Sequence, residues 1–448
     1  GGGVSSGLMS FLKIFDRAAG AIKSGGTTRR AAKMVIVNVD HPDIEEFIEL
    51  KNVEGVLSNF NISVGITDAF MNAVEKNADW ELKHPISRKN IKSIAARALW
   101  NKIISNAWLT GDPGLIFLDA INESNPTPKI GAITCTNPCG EVPLLPYEAC
   151  NLGSIDVAKF YDEKKNKIDY EALEKCIVTA IRFLDNVIEV NNYVIPEIKT
   201  MVKGNRKIGL GIMGWAELLI KLETPYASEK AVKLGEELMA FINEKSFDAS
   251  QKLAEERGVF KNWDHSIYNK NVKLRNATRT SIAPTGTISI IAGTSSSIEP
   301  LFALAIHREN VVNNETLTEI NEACLNYLKR KNLLTDEIVS EIKKSGSIQN
   351  TGLPNEIKEL FKTSLEIDPY WHIQHQVAFQ KHTDNAVSKT INLPGGATVA
   401  DVENAYLTAW KNKAKGITIY RYGSKSQQVL HSGTDETENQ GSCKVCVN

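Results

Sequence analysis

Amphipathic helical patterns separated by short apolar runs leave this chain few folds to choose from. Leu173, Ile177, Ile181, Leu184 and Ile188 recur at spacings of three and four, which puts them on one face of a helix over Asp169 to Val194. Ser228 to Arg257 predicts a second long helix, stopped by Gly258. Leu317 to Leu334 predicts a third, and Ile44 to Leu50 a short one behind His41-Pro42-Asp43. Between them lie Met34 to Val37, Asn59 to Val64, Ile208 to Met213, Thr287 to Ala292 and Ile417 to Tyr420, each short enough to be a buried strand. Helices alternating with buried strands build an α/β sheet or barrel. A length of 448 residues allows two or three domains, or one large α/β barrel. No fixed-period repeat is present.

Composition removes other classes. An apolar fraction of 42% supports a substantial core and excludes a mainly disordered chain. Lys and Arg (52) nearly balance Asp and Glu (53), so no basic field exists to hold a nucleic-acid polymer. No stretch approaches the ~18–20 apolar residues of a membrane span. Gly1-Gly2-Gly3-Val4 offers neither the charged nor the apolar part of a signal peptide, so a cytoplasmic, non-membrane chain is expected. The start also lacks an initiator Met, which suggests a processed chain or one piece of a larger protein.

The seven cysteines argue for thiol chemistry rather than a disulfide framework, because their number is odd and their placement uneven. Cys135, Cys139 and Cys150 crowd together, and Cys443 and Cys446 form a Cys-x-x-Cys near the end. Cys176 and Cys324 sit in helical patterns and read as small buried hydrophobes.

The densest chemistry is Asn137-Pro138-Cys139-Gly140-Glu141. Pro138 and Gly140 exclude a regular helix. In an extended loop alternate side chains share a face, so Asn137, Cys139 and Glu141 can present an amide, a thiol and a general base to one ligand. The competing reading is a turn whose Asn and Glu satisfy backbone groups. A metal site is disfavoured because no His and no Cys-x-x-Cys lies nearby. A second constellation, Pro284-Thr285-Gly286-Thr287-Ile288, offers hydroxyls and backbone N–H groups for a phosphate, or is a Ser/Thr-rich turn. No Gly-Lys-Ser/Thr follows, so it is not a Walker A loop. A third, Gly25-Gly26-Thr27-Thr28-Arg29-Arg30 with Lys33, joins backbone freedom to anion affinity. Cys443–Cys446 is half a zinc site or a redox pair. It ends a polar segment, Gly423 to Ser442, that reads as a disordered linker. Such an arm spans about 25 Å as a coil and reaches ~60 Å when extended.

Taken in order, these motifs resemble the large, catalytic chain of the ribonucleotide reductases. Asn137 to Glu141, followed by Pro146-Tyr147-Glu148-Ala149-Cys150-Asn151-Leu152-Gly153-Ser154-Ile155, is similar to that family's radical-cysteine region. Gly25 to Lys33, Val39 to Phe47, Asn59 to Val64, Arg206 to Gly214, Pro284 to Pro300, Lys381 to Pro394 and Gly416 to Leu430 agree in the same order. The resemblance implies a ten-stranded α/β barrel of two half-barrels, of which residues 1–422 are the C-terminal part, without the N-terminal strands, and which carries the radical cysteine on an inner finger loop. A redox tail over 423–448 would follow it. It implies reduction of ribonucleoside di- or triphosphates to deoxyribonucleotides, the DNA precursors.

The implied roles carry over residue by residue. Cys139 resembles the cysteine whose thiyl radical takes the ribose 3′ hydrogen. Glu141 resembles the base for the 3′-hydroxyl proton, and Asn137 the amide that binds the sugar. Cys150 resembles one of the two reducing thiols. Asn137, Pro138, Cys139, Gly140 and Glu141, with Pro284, Thr285, Gly286, Thr287 and Ile288, match substrate contacts. Gly25 to Arg30 and Lys33 match a loop that reads dNTP or ATP effectors. Cys443 and Cys446 resemble the relay that a thioredoxin- or glutaredoxin-like protein reduces, and a homodimer is implied.

Two departures refine this. The family's other reducing cysteine lies upstream of Gly1, so an N-terminal part of the same enzyme is expected as partner. Tyr420 stands between Ile419 and Arg421 rather than in the Tyr-Tyr pair of chains that receive their radical from a small subunit. The resemblance is therefore to the adenosylcobalamin-dependent class. A non-catalytic nucleotide-binding piece is the alternative. A different enzyme on the same radical scaffold should lack Cys150, which is present.

Overall fold

The computed structural model describes residues 6–22, 32–53, 55–308 and 317–424. Gly25 to Arg30, Cys443 and Cys446 lie outside the described residues.

Hydrogen-bonded segments run through the molecule in one series. Lys33–Asn38, Phe60–Ile66 and Gly114–Phe117 are mutually parallel. Gly416–Arg421 joins Gly114–Phe117 antiparallel and pairs in parallel with Thr390–Leu393. Elsewhere Asn151–Asp156 and Ile208–Met213 pair in parallel. Parallel bridges Leu210↔Thr280 and Ile282↔Val387 carry this second group across to the approach of Thr390–Leu393. A group of three parallel segments thus meets a group of five, antiparallel at one seam, as two half-barrels require. Of the ten strands implied, the described residues form these eight.

Side-chain alternation decides which face is which. Ile62, Val64 and Ile66 point outward and pack with Phe70, Trp100 and Ile103 of the covering helices. In Ile208–Met213 the outward face is Ile208, Leu210 and Ile212, packed with Leu173, Ile177 and Leu238. Its inward face carries Gly209 and Gly211. A Cβ on Gly211 would lie 2.2 Å from the Ser281 carbonyl oxygen, so only glycine lets the next segment approach. Inside the barrel Ile116, Ile121, Ile133 and Leu145 form a small apolar cluster under the finger.

The long helix Glu229–Arg257 begins where expected: the Ser228 side chain accepts the Ala231 N–H, and Gly258 at φ +81° ends it. Helix Tyr170–Val190 stops four residues short of Val194, where Asn191 takes an extended conformation. Two expectations fail. Thr287 to Ala292 is not a strand but part of helix Gly286–Ala292, whose Ile290 and Ile291 are exposed. Thr285 at φ +55° turns the chain into that helix immediately after the 278–282 segment. Leu317 to Leu334 is not one helix. Leu317–Ile320 pairs antiparallel with Ala305–Arg308, and the helix is Glu322–Arg330, capped by the Asn321 side chain on the Cys324 N–H. Cys324 is fully buried as expected, and Cys176 is half-buried against the core. No described helix is long and apolar enough to cross a membrane.

Candidate active site

Cys139 sits at the tip of a hairpin that rises inside the barrel. Its legs are Cys135–Thr136 and Pro143–Leu144, paired antiparallel. The tip is a turn, not the extended loop the alternation argument assumed. The Gly140 N–H donates to the Asn137 carbonyl (3.1 Å), and the Val142 N–H donates to Asn137 Oδ1 (3.0 Å). Gly140 takes φ +83°, a conformation that strains any L side chain. Asn137 therefore does bind backbone, as the structural alternative held, through its oxygen.

Glu141 does something else. It is 2% exposed, and its Oε2 has no hydrogen-bond partner among the described residues. Burial pushes its carboxyl up, partly offset by hydrogen bonds from the Asn137 side chain and its own backbone. A buried carboxylate oxygen without a partner is costly to maintain. The barrel walls crowded around the finger limit solvation of the Cys139 thiol and, with Glu141 adding to it, push it up to about 11, which favours the S–H at neutral pH, even though the residue itself is exposed at the tip.

Cys150 stands just before Asn151–Asp156. Its thiol is also pushed up, chiefly by burial; the Lys207 ammonium opposes the shift, and Glu148 and Glu141 add to it. Glu141 thus acts on both thiols, and Cys139, Glu141 and Cys150 share one electrostatic neighbourhood. Beneath them is a pair that sequence reasoning missed. Lys207 and Glu148 are 1% and 0% exposed at their side chains and meet at 2.7 Å. Glu148 also accepts from the Leu145 N–H (2.8 Å) and Asn205 Nδ2 (2.6 Å), which pins the finger base. The available signal was Arg206-Lys207 standing directly before an apolar strand.

The finger is tied to the barrel wall at two backbone carbonyls. Glu141's accepts from Ser281 Oγ (2.9 Å) and the Ala386 N–H (2.8 Å). Pro138's accepts from Asn61 Nδ2 (2.7 Å). Pro284 to Ile288 follow directly on the 278–282 segment, at the carboxyl end where barrel ligands bind. Thr285 Oγ1 accepts the Ser297 N–H (2.7 Å), and the space around a Gly286 Cβ is open for 4 Å. Lys33 opens the first strand, paired with Phe60. Among the described residues no group of three or more His, Cys, Asp or Glu is placed to hold a metal ion.

Comparison with known proteins agrees with this architecture. The family model described as "Ribonucleotide reductase, barrel domain" matches residues 1–420. A vitamin B12-dependent ribonucleoside-diphosphate reductase of Thermoplasma acidophilum is 50% identical over 438 residues, covering 97% of this chain and 57% of the relative. One from Mycobacterium tuberculosis is 47% identical over 452 residues, covering 99% of this chain and 64% of the relative. The class Id ribonucleotide reductase alpha subunit of Actinobacillus ureae superposes with a TM-score of 0.75 at 25% identity, covering 94% of this chain and 75% of that one. This chain therefore spans about three fifths of the length of these curated relatives. Because the barrel-domain model runs through all but the last residues of the chain, the chain belongs to the ribonucleotide reductase family.

Proposed function

We propose that this chain carries the thiyl-radical site of an adenosylcobalamin-dependent ribonucleoside-diphosphate reductase, completed by an upstream part of the same enzyme. The observation that carries the reading is the pairing, on one finger, of an exposed thiol with a buried carboxylate, one oxygen of which has no hydrogen-bond partner among the described residues.

Each group has a task suited to its setting. Cys139, once its hydrogen is removed, takes the 3′ hydrogen of the ribose. The reversible exchange needs an S–H rather than a thiolate, which the raised thiol provides. Glu141 accepts the 3′-hydroxyl proton, and its raised carboxyl makes it the stronger base. The Asn137 amide orients Glu141 and the sugar. Water leaves from C2′, taking its extra proton from the thiol pair. Cys150 and one upstream thiol supply two electrons and two protons and end as a disulfide. Glu141 returns its proton to the 3′ oxygen, and Cys139 returns its hydrogen to C3′ and is regenerated as the radical. Pro284 to Ile288 receive the substrate phosphates beside open space.

Cys139, exposed at the tip, is the side chain that would face the cofactor. Bound adenosylcobalamin supplies a weak cobalt–carbon bond as the radical source. Tyr420 is half-buried in Gly416–Arg421 and in register with Asn392, and in the sequence it is flanked by Ile419 and Arg421 rather than by a second tyrosine. Close relatives bear the vitamin B12-dependent name. Gly25 to Lys33 would read the effector dNTP or ATP, and Cys443 and Cys446 would carry electrons from a thioredoxin- or glutaredoxin-like protein. A homodimer is supported by Phe11, Ile14 and Phe15, exposed on helix Leu8–Ala21.

The test is deoxynucleotide formation by this chain together with its upstream part. Adenosylcobalamin alone should support turnover, and Tyr420→Phe should keep it within a few-fold. Activity only with a small radical-bearing subunit, lost in Tyr420→Phe, contradicts the cobalamin reading. Nucleotide binding with no reduction under either condition favours a non-catalytic nucleotide-binding piece.

A further inference from the structure

The tip that carries Cys139 is held by hydrogen bonds rather than by packing. Among the described residues, apart from its chain neighbours, nothing lies within 4 Å of where a Cβ on Gly140 would stand, and Cys139 itself is exposed. Gly140, at φ +83°, is a natural hinge in this turn. Without an outside anchor, the peptide between Pro138 and Cys139 could tilt about it.

That anchor comes from a strand 77 residues earlier in the chain. Asn61 lies on the inward face of Phe60–Ile66, the same face as Ser63 and Gly65, and its Nδ2 donates to the Pro138 carbonyl at 2.7 Å. The Pro138 carbonyl belongs to the peptide bond that opens Cys139, and that bond is planar. Fixing its oxygen orients the Cys139 backbone and so the direction in which the thiol leaves it. Two residues on, the Glu141 carbonyl is fixed by Ser281 and Ala386 of the other strand group. Thiol and carboxylate are therefore strung between the two half-barrels, one backbone carbonyl on each.

We propose that Asn61 is a positioning residue for the reaction: its amide N–H, donated to the Pro138 carbonyl, sets the orientation of the Cys139 thiol relative to Glu141. This rests on the function proposed above. Asn61 touches no reacting atom in this reading and contributes nothing to nucleotide affinity. A misplacement of about 1 Å at a reacting group lowers turnover on the order of 100-fold.

The experiment uses the reductase with its upstream part present, as parent, Asn61→Ala and Asn61→Leu. Leucine keeps most of the side-chain volume with neither donor nor charge, so both variants should behave alike. Two readouts are taken: the kcat and KM of nucleotide reduction, and the rates at which iodoacetamide alkylates Cys135, Cys139 and Cys150, followed peptide by peptide by mass spectrometry. The expected result is a kcat lower by about 100-fold with KM within about twofold. Cys139 alkylation should change by about threefold or more, with Cys135, Cys150 and the thermal midpoint unmoved. Equal Cys139 rates in parent and variants would overturn the proposal. So would a common rise at all three cysteines with a lowered midpoint, which marks general loosening. If the parent itself reduces no nucleotide, the functional reading fails, and the alkylation rates still decide whether Asn61 holds the tip.

Discussion

Replacing Glu141 with glutamine separates what the carboxylate does for chemistry from what its burial costs the fold. The group is 2% exposed with one oxygen unpartnered, and burial raises its proton affinity in the folded state. The sign follows from linkage: a carboxyl raised in the native state holds more protons folded than unfolded. Stability therefore falls as pH rises from the unfolded carboxyl's range, near 4.5, through the folded value, and the full penalty is present above it. Each tenfold increase in proton affinity is worth about 1.4 kcal/mol. Glutamine removes this pH-dependent part and adds an orphaned amide N–H costing about 1–3 kcal/mol at every pH. At roughly 2.1 cal/mol/K per residue of unfolding entropy, a chain of 448 residues shifts its midpoint by only about 1 °C per kcal/mol. The measurement is thermal melting of parent and Glu141→Gln at pH 5 and pH 8. The difference, variant minus parent, should grow toward pH 8. Nucleotide reduction should meanwhile fall by roughly 10²–10⁴, the usual yield of a general base. A pH-independent difference in melting would refute the buried-carboxylate argument, and turnover within tenfold of the parent would refute the base.

Other consequences are simpler to state. Lys207→Met leaves Glu148 as a buried charge without its cation and should destabilise by about 3–5 kcal/mol, seen as a melting drop of similar size in degrees; the double variant Lys207→Met, Glu148→Leu should recover most of it. Cys443→Ser and Cys446→Ser should stop turnover driven by thioredoxin but keep it with a small dithiol that enters the barrel directly. Equal loss with both reductants would make the pair structural or metal-binding.

What could be read in advance depended on how local its cause is. Ser228 and Gly258 bracket a helix by contacts within a few residues, so that helix appears where its sequence puts it. The finger was legible because Pro138 and Gly140 forbid regular structure around Cys139, though not its turn, which rests on the Asn137 side chain reaching Val142. Thr287 to Ala292 misled because an apolar run does not say whether its neighbours are a sheet or solvent. Here Thr285 turns it into a helix with isoleucines left outside. Leu317 to Ile320 misled for the converse reason, since its pairing with Ala305–Arg308 is not written in its own periodicity. Asn61 and the Lys207–Glu148 pair were invisible as functional features. A polar residue in a strand acquires meaning only when a segment 59 or 77 residues away is brought against it.

The central claim is that Cys139 is the hydrogen-exchanging thiol, and it is tested most directly by Cys139→Ala in the enzyme with its upstream part present. Nucleotide binding, measured by equilibrium titration, should stay within a few-fold of the parent, because the side chain makes no hydrogen bond that binding relies on. Deoxynucleotide formation should vanish. Turnover surviving in Cys139→Ala would contradict the account.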